Sequence, residues 1–134
     1  MPNRAKTVEP AWVTLDSSCW IEYLRDTPRA ELFASAAENP DQLIVPIVTI
    51  YEVTKKLHRE ISPKVAAYAE ALMCRGRVID FDLQLCRAAI GSGALPLSDS
   101  LIYATAQAHG AVLWTQDQHF EGLAGVNYFS KNQC

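Results

Sequence analysis

Leu97-Ser98-Asp99-Ser100-Leu101-Ile102-Tyr103-Ala104-Thr105-Ala106 reads as a helix with one carboxylate at its start. Pro96 and Ser98 are helix-start signals, an apolar, alanine-rich run follows, and His109-Gly110 closes it with glycine at the C′ position. Asp99 therefore falls in the first turn, where free backbone N–H groups and the helix dipole favour an ionised carboxylate. Taken alone, such a residue is an ordinary first-turn or capping Asp. Its meaning changes because three further acids, Asp16, Glu52 and Asp117, stand at comparable junctions.

Working outward, Ala111-Val112-Leu113-Trp114 reads as a strand that ends at Thr115-Gln116-Asp117. A short helical turn around Phe120 and a last strand at Val126-Asn127-Tyr128-Phe129 follow. Upstream, Val78-Ile79-Asp80-Phe81 is a strand, and Asp82 caps a helix through Leu85, Ala88, Ala89 and Ile90 that ends in Gly91-Ser92-Gly93. Trp12 to Leu15 is a strand stopping at Asp16, after which Ser17 or Ser18 caps a helix reaching Leu24. Pro28 opens a second helix with Leu32, Phe33 and Ala36 as its apolar stripe. Leu43-Ile44-Val45, closed by Pro46, is another strand. A third helix covers Ile47 to Glu60 with Ile47, Ile50, Thr54 and Leu57 as its apolar face, which turns Glu52 to the opposite side with Lys56 and Arg59. Ser62 as N-cap and Pro63 at N1 start a fourth helix that runs to Arg75 and closes at Gly76.

Short strands that are apolar on both faces and alternate with helices predict an α/β domain: a parallel sheet of four to five strands flanked by helices and joined by right-handed crossovers. The 134 residues suit one domain, residues 12–134, preceded by a polar arm over residues 1–11 that carries two prolines. The formal net charge of −3 argues against a large non-specific phosphate footprint while leaving room for a local basic patch. Cys19, Cys74, Cys86 and Cys134 form no CxxC pair and stand at no zinc spacing with His58, His109 or His119, so a reducing, cytoplasmic setting is expected. No apolar run reaches about 18 residues, and no apolar core follows Arg4 and Lys6, so neither a membrane span nor a signal peptide is expected.

In such sheets ligands bind beyond the carboxyl ends of the strands. Asp16 and Asp117 lie at strand ends, and Glu52 and Asp99 lie on helices able to approach the same edge. Two unit charges about 4 Å apart repel by roughly 4 kcal/mol at an effective dielectric near 20, so four converging carboxylates require protonation or a cation. Oxygen-only ligands select a hard ion, Mg²⁺ or Mn²⁺, which suits phosphodiester hydrolysis. Each acid also has a plain structural reading: Asp16 as an N-cap, Glu52 as an exposed i+4 partner of Lys56, Asp117 as a turn residue.

Four ordered stretches carry a family resemblance: Val13-Thr14-Leu15-Asp16-Ser17-Ser18, Pro46-Ile47-Val48-Thr49-Ile50-Tyr51-Glu52-Val53, Leu97 to Ala106, and Leu113-Trp114-Thr115-Gln116-Asp117. With them the chain resembles PIN domains, and among these the VapC-type ribonuclease toxins of toxin–antitoxin modules. The resemblance implies a three-layer fold and a Mg²⁺- or Mn²⁺-dependent endoribonuclease acting on structured RNA. It implies Asp16, Glu52, Asp99 and Asp117 as metal-site residues, with Thr115 holding a carboxylate or a water. It further implies a homodimer and a small antitoxin partner whose tail covers the site. His119 falls where many relatives carry another acid, and reads either as a surface residue or as a substrate contact that makes activity pH-dependent.

Lys55, Lys56 and Arg59 read either as RNA-phosphate contacts or as an ordinary solvated helix face. Trp20, Tyr23 and Trp114 read as core or dimer residues. The alternative function is a catalytically inactive PIN-fold module that binds RNA or protein. A receiver-like phosphoacceptor domain fits poorly, because Asp16 lacks an acidic neighbour and Lys131 follows the last strand.

Overall fold

The computed structural model describes residues 11–131. The expected arm over 1–11 therefore lies outside the described residues except for Ala11, as does Cys134. The elements are β1 (Trp12–Leu15), α1 (Ser17–Leu24), α2 (Ala30–Ala37), β2 (Ile44–Pro46), α3 (Ile47–Glu60), α4 (Pro63–Met73), β3 (Arg77–Ile79), α5 (Leu83–Ile90), α6 (Leu97–Ala108), β4 (Ala111–Thr115) and β5 (Val126–Tyr128). Two short 3-10 turns, Pro40–Gln42 and Gln118–Phe120, complete the path.

All strand pairs are parallel. One sheet has the order β1-β4-β5, and β2 pairs with β3 in a second ladder. A single parallel bridge from Val13 to Leu43 joins the two ladders, so the strands run β3-β2-β1-β4-β5 across the molecule. Parallel strands need crossover connections, and helices supply them.

Side-chain alternation then sorts the core into two faces. Leu15, Leu43 and Val45 join Trp20, Phe33, Val53, Leu57 and Met73 from α1 to α4. Ile44, Ala111 and Leu113 join Ile102 and Ala106 of α6 together with Phe120. The result is three layers, with α5 packed on α6. Among the described residues no helix is long and apolar enough to cross a membrane.

The helix starts divide into those readable from sequence and those not. Ser62 caps α4 by accepting from the Val65 N–H at 3.1 Å, and Asp82 caps α5 by accepting from Leu85 at 2.9 Å. The cap of α1 is neither serine but Asp16 itself, which accepts from the Cys19 N–H at 3.0 Å. Two apolar stripes also differ from expectation. In α2 the buried residues are Ala30, Phe33, Ala36 and Ala37, and Leu32 is exposed. In α3 they are Thr49, Ile50, Val53 and Leu57, with Ile47 exposed. The α3 stripe is thus rotated toward α4 and α1, its principal neighbours. The fourth helix stops at Met73, two residues short of Arg75, and the chain then turns through Gly76.

Candidate functional site

The acidic cleft follows from strand register and helix length. Leu15 pairs with Trp114, so the ends of β1 and β4 lie side by side, and the Asp16 N–H donates to the Trp114 carbonyl at 3.0 Å. Asp16 and Thr115-Gln116-Asp117 are thereby neighbours. Only His109 and Gly110, the latter at φ +65°, connect α6 to β4, so α6 runs back along the strand. Its 12 residues span about 18 Å and the five of β4 about 16 Å, which returns the first turn of α6 to the strand's carboxyl end. Asp99 sits in that turn. The helix α3 begins directly after β2, and Glu52 lies in its second turn at the same edge.

Asp16, Glu52, Asp99 and Asp117 all line one cleft of about 580 Å³. Asp16 is 5% exposed and fully engaged. Its Oδ1 accepts from the Cys19 N–H and from the Ser18 hydroxyl at 2.8 Å, and its Oδ2 accepts from the Thr115 hydroxyl. Burial pushes the Asp16 carboxyl up, and the donors from Thr115, Cys19 and Ser18 oppose that push. Thr115 is fully buried and in turn accepts from the Asp117 N–H at 2.9 Å. Glu52 is half-buried and accepts from the Ser17 hydroxyl at 2.5 Å. It therefore does not point away from the core with the solvent-facing residues of α3. The rotated stripe leaves it on the flank that meets α1.

Asp99 and Asp117 lie together in the cleft, with the exposed ring of His119 against both. Burial, followed by the nearby Asp117 carboxylate, pushes Asp99 up to about 7. Partial burial acts upward on Asp117 as well, but donors from His119 and from Asp99 outweigh it and hold Asp117 below its ordinary value. His119 Nδ1 lies 2.9 Å from Asp117 Oδ1 and 3.5 Å from Asp99 Oδ2.

The three cations proposed from the sequence separate. Lys56 lines the cleft and pairs with Glu60 at 3.6 Å rather than with Glu52. Lys55 stacks over Tyr51, 5.3 Å from the ring centroid, and lines a different groove with His58. Arg59 is exposed and lies 3.3 Å from Glu60. Arg25 and Lys131 also line the cleft, and the sequence marked neither of them as a substrate contact. Arg25 is held by Glu60 at 2.8 Å, a contact across 35 residues that no local pattern encodes.

Gln116 was likewise unmarked. It is 4% exposed, accepts from Arg29 Nε at 2.5 Å, and donates to Glu22 at 3.1 Å and to the Ser18 hydroxyl at 3.5 Å. It ties α1 to the strand end beneath Asp16. The available signal was a strand-end polar residue between Thr115 and Asp117, together with two serines directly after Asp16.

A parallel α/β sheet with four carboxylates gathered in one cleft at its carboxyl edge offers the hard oxygen donors that suit a divalent cation. The model of the PIN domain family matches residues 13–126, and the chain belongs to that family. No curated protein matches the sequence. Among solved structures, a toxin–antitoxin complex from Klebsiella pneumoniae is similar at 22% identity and a TM-score of 0.72, covering 86% of this chain and 95% of that one. VapC20 from Mycobacterium tuberculosis, a toxin that cleaves the Sarcin-Ricin loop, is similar at 17% identity and a TM-score of 0.69, covering 84% and 95%. The DNA-bound VapBC of Salmonella typhimurium is similar at 18% identity and 0.67, covering 90% and 98%. At these identities the likeness is one of fold.

Proposed function

We propose that the protein is a Mg²⁺- or Mn²⁺-dependent endoribonuclease, the toxin of a toxin–antitoxin pair, acting on structured RNA. The observation that carries this reading is the convergence of Asp16, Glu52, Asp99 and Asp117 on one cleft, with Asp99 pushed up to about 7 by burial and by Asp117. Uncompensated carboxylates crowded in this way are a standing electrostatic cost, which a divalent cation relieves.

The donor set fits such an ion. Four carboxylates supply hard oxygen ligands, and two are already oriented: Asp16 by Ser18, Cys19 and Thr115, Glu52 by Ser17. Asp16, Glu52 and Asp99 would hold the ion, with Asp117 completing the site. A bound Mg²⁺ or Mn²⁺ supplies charge neutralisation at the phosphate and a more acidic water. Thr115 keeps Asp16 in one orientation and couples it to the backbone of Asp117. One carboxylate oxygen of Asp99 or Asp117 would take the proton of a water attacking the phosphodiester. Lys56, Arg25 and Lys131 at the rim bind flanking RNA phosphates.

The toxin role and the antitoxin partner are supported by the similar fold of solved toxin–antitoxin complexes, and the homodimer rests on the family resemblance alone. Retention of all four acids in one cleft weighs against the inactive binding module.

The test is cleavage of a total-RNA pool by purified, antitoxin-free protein with Mg²⁺, Mn²⁺ or EDTA, beside Asp99→Asn. Discrete fragments that need metal and vanish in the variant are expected. Equal cleavage by Asp99→Asn, or no cleavage by folded protein under any condition, overturns the reading.

A further inference from the structure

We infer that the imidazole of His119 is a nitrogen ligand of the ion in this cleft and gives the site a preference for Mn²⁺ over Mg²⁺, an inference that rests on the metal-dependent reading above. The ligand-capable atoms of Asp99, Asp117 and His119 all lie within 4.8 Å of one another. His119 Nδ1 stands 2.9 Å from one carboxylate and 3.5 Å from the other. Donors around an octahedral ion with bonds of about 2.1 Å sit roughly 3 Å apart when adjacent and roughly 4.2 Å when opposite. The 2.9 and 3.5 Å separations of Nδ1 from the two carboxylates are ones that a single coordination sphere accommodates.

The position of the ring is built into the fold. Asp117 caps the Gln118–Phe120 turn by accepting from the His119 backbone N–H at 2.9 Å, on the same Oδ1 that faces Nδ1. Phe120, the next residue, is fully buried in the core under α6, beside Tyr103. Exposing so large an apolar side chain is costly, so its burial anchors the turn that carries His119. The backbone of Asp117 is fixed in turn by Thr115. A side chain that is itself exposed is thus aimed at the two acids from a rigid base.

The choice of ion follows from ligand chemistry. An all-oxygen site suits Mg²⁺, whereas an imidazole nitrogen favours first-row transition ions. In the ion-free cleft Nδ1–H donates to Asp117; as a ligand the ring would carry its proton on Nε2 and turn the Nδ1 lone pair to the ion. His58 lines the groove beside Tyr51 and His109 lies beside α5, so among the described residues His119 is the histidine that reaches the acids of the cleft.

The test measures binding rather than cleavage. Mn²⁺ and Mg²⁺ affinities are taken by calorimetry for the wild type, His119→Gln and His119→Asp, and the Mn²⁺ forms are examined by electron spin-echo spectroscopy. The wild type is expected to show ¹⁴N modulation that both variants lack. The Mn²⁺/Mg²⁺ affinity ratio is expected to fall about tenfold in His119→Gln, within the range for losing one supporting ligand. His119→Asp restores an oxygen donor and carries the test if His119→Gln fails to fold. Bound Mn²⁺ without nitrogen modulation, or an unchanged ratio in the variants, overturns the role of His119 and leaves the nuclease reading standing. A wild type that binds neither ion and cleaves no RNA overturns both.

Discussion

The hydroxyl of Thr115 donates to Asp16 Oδ2 and accepts from the backbone N–H of Asp117, joining the acid after the first strand to the acid after the fourth. One buried hydroxyl thereby sets the orientation of one carboxylate and the backbone position of another. Its single proton is committed to Asp16, which leaves its lone pair for the Asp117 N–H.

Replacing Thr115 with Val keeps the shape and removes both interactions. RNA cleavage is expected to fall by about 10–100-fold, the usual effect of losing a group that orients a metal ligand. Thr115→Ser retains the hydroxyl and should recover most of that loss. Equal activity in wild type and Thr115→Val, measured at saturating Mg²⁺, would remove Thr115 from the working site.

The acids also make a prediction about stability. In the folded, metal-free protein Asp99 binds its proton with a pKa of about 7, against an ordinary value of 3.8. A group whose pKa is raised on folding contributes stability that is full below its unfolded pKa and lost as pH rises through the folded one. The raised pKa of Asp16 acts in the same direction, and the lowered pKa of Asp117 matters only below its ordinary 3.8. The melting temperature in EDTA is therefore expected to fall between about pH 4 and pH 7, and added Mg²⁺ should recover more of it at about pH 8 than at about pH 5. A melting temperature that climbs across this window in EDTA would contradict the raised pKa of Asp99.

Neighbouring lysines on α3 should behave differently. Lys56 lines the acidic cleft, whereas Lys55 lies over Tyr51 in another groove. Lys56→Ala is expected to weaken binding of an uncleavable RNA several-fold and to flatten its salt dependence by roughly one phosphate contact. Lys55→Ala should change neither. Identical binding curves for the two variants would mean that the RNA path avoids the Lys56 side of the cleft.

Away from the site, Gly76 marks a close approach. A Cβ at this position would lie 2.9 Å from both Leu43 Cβ and Val45 Cγ2, the residues that lead into and form β2. Gly76→Ala is expected to destabilise the protein by about 1–3 kcal/mol, the usual cost of overpacking. Urea unfolding would check this, and an unchanged midpoint would show that the β2–β3 ladder shifts freely.

Much of this architecture is written in local pattern. Short apolar runs between helices identify five strands, and Ser62 and Asp82 cap where their side-chain chemistry requires. The four acids stand at element junctions that a reader can mark on the chain. These features depend on residues within one or two turns of each other, so sequence alone determined them. Tertiary structure decided how the elements rotate and meet. Whether Glu52 faces solvent or cleft depended on where α1 docks against α3, because a helix's periodicity shows its buried stripe but not which flank a neighbour will cover. The same docking separated Lys56 from Lys55, gave the Asp16 carboxylate its partner in Thr115, and brought His119 against Asp99. Each of these contacts joins residues distant along the chain, so strand register and core packing, rather than any local preference, determine which side chains meet.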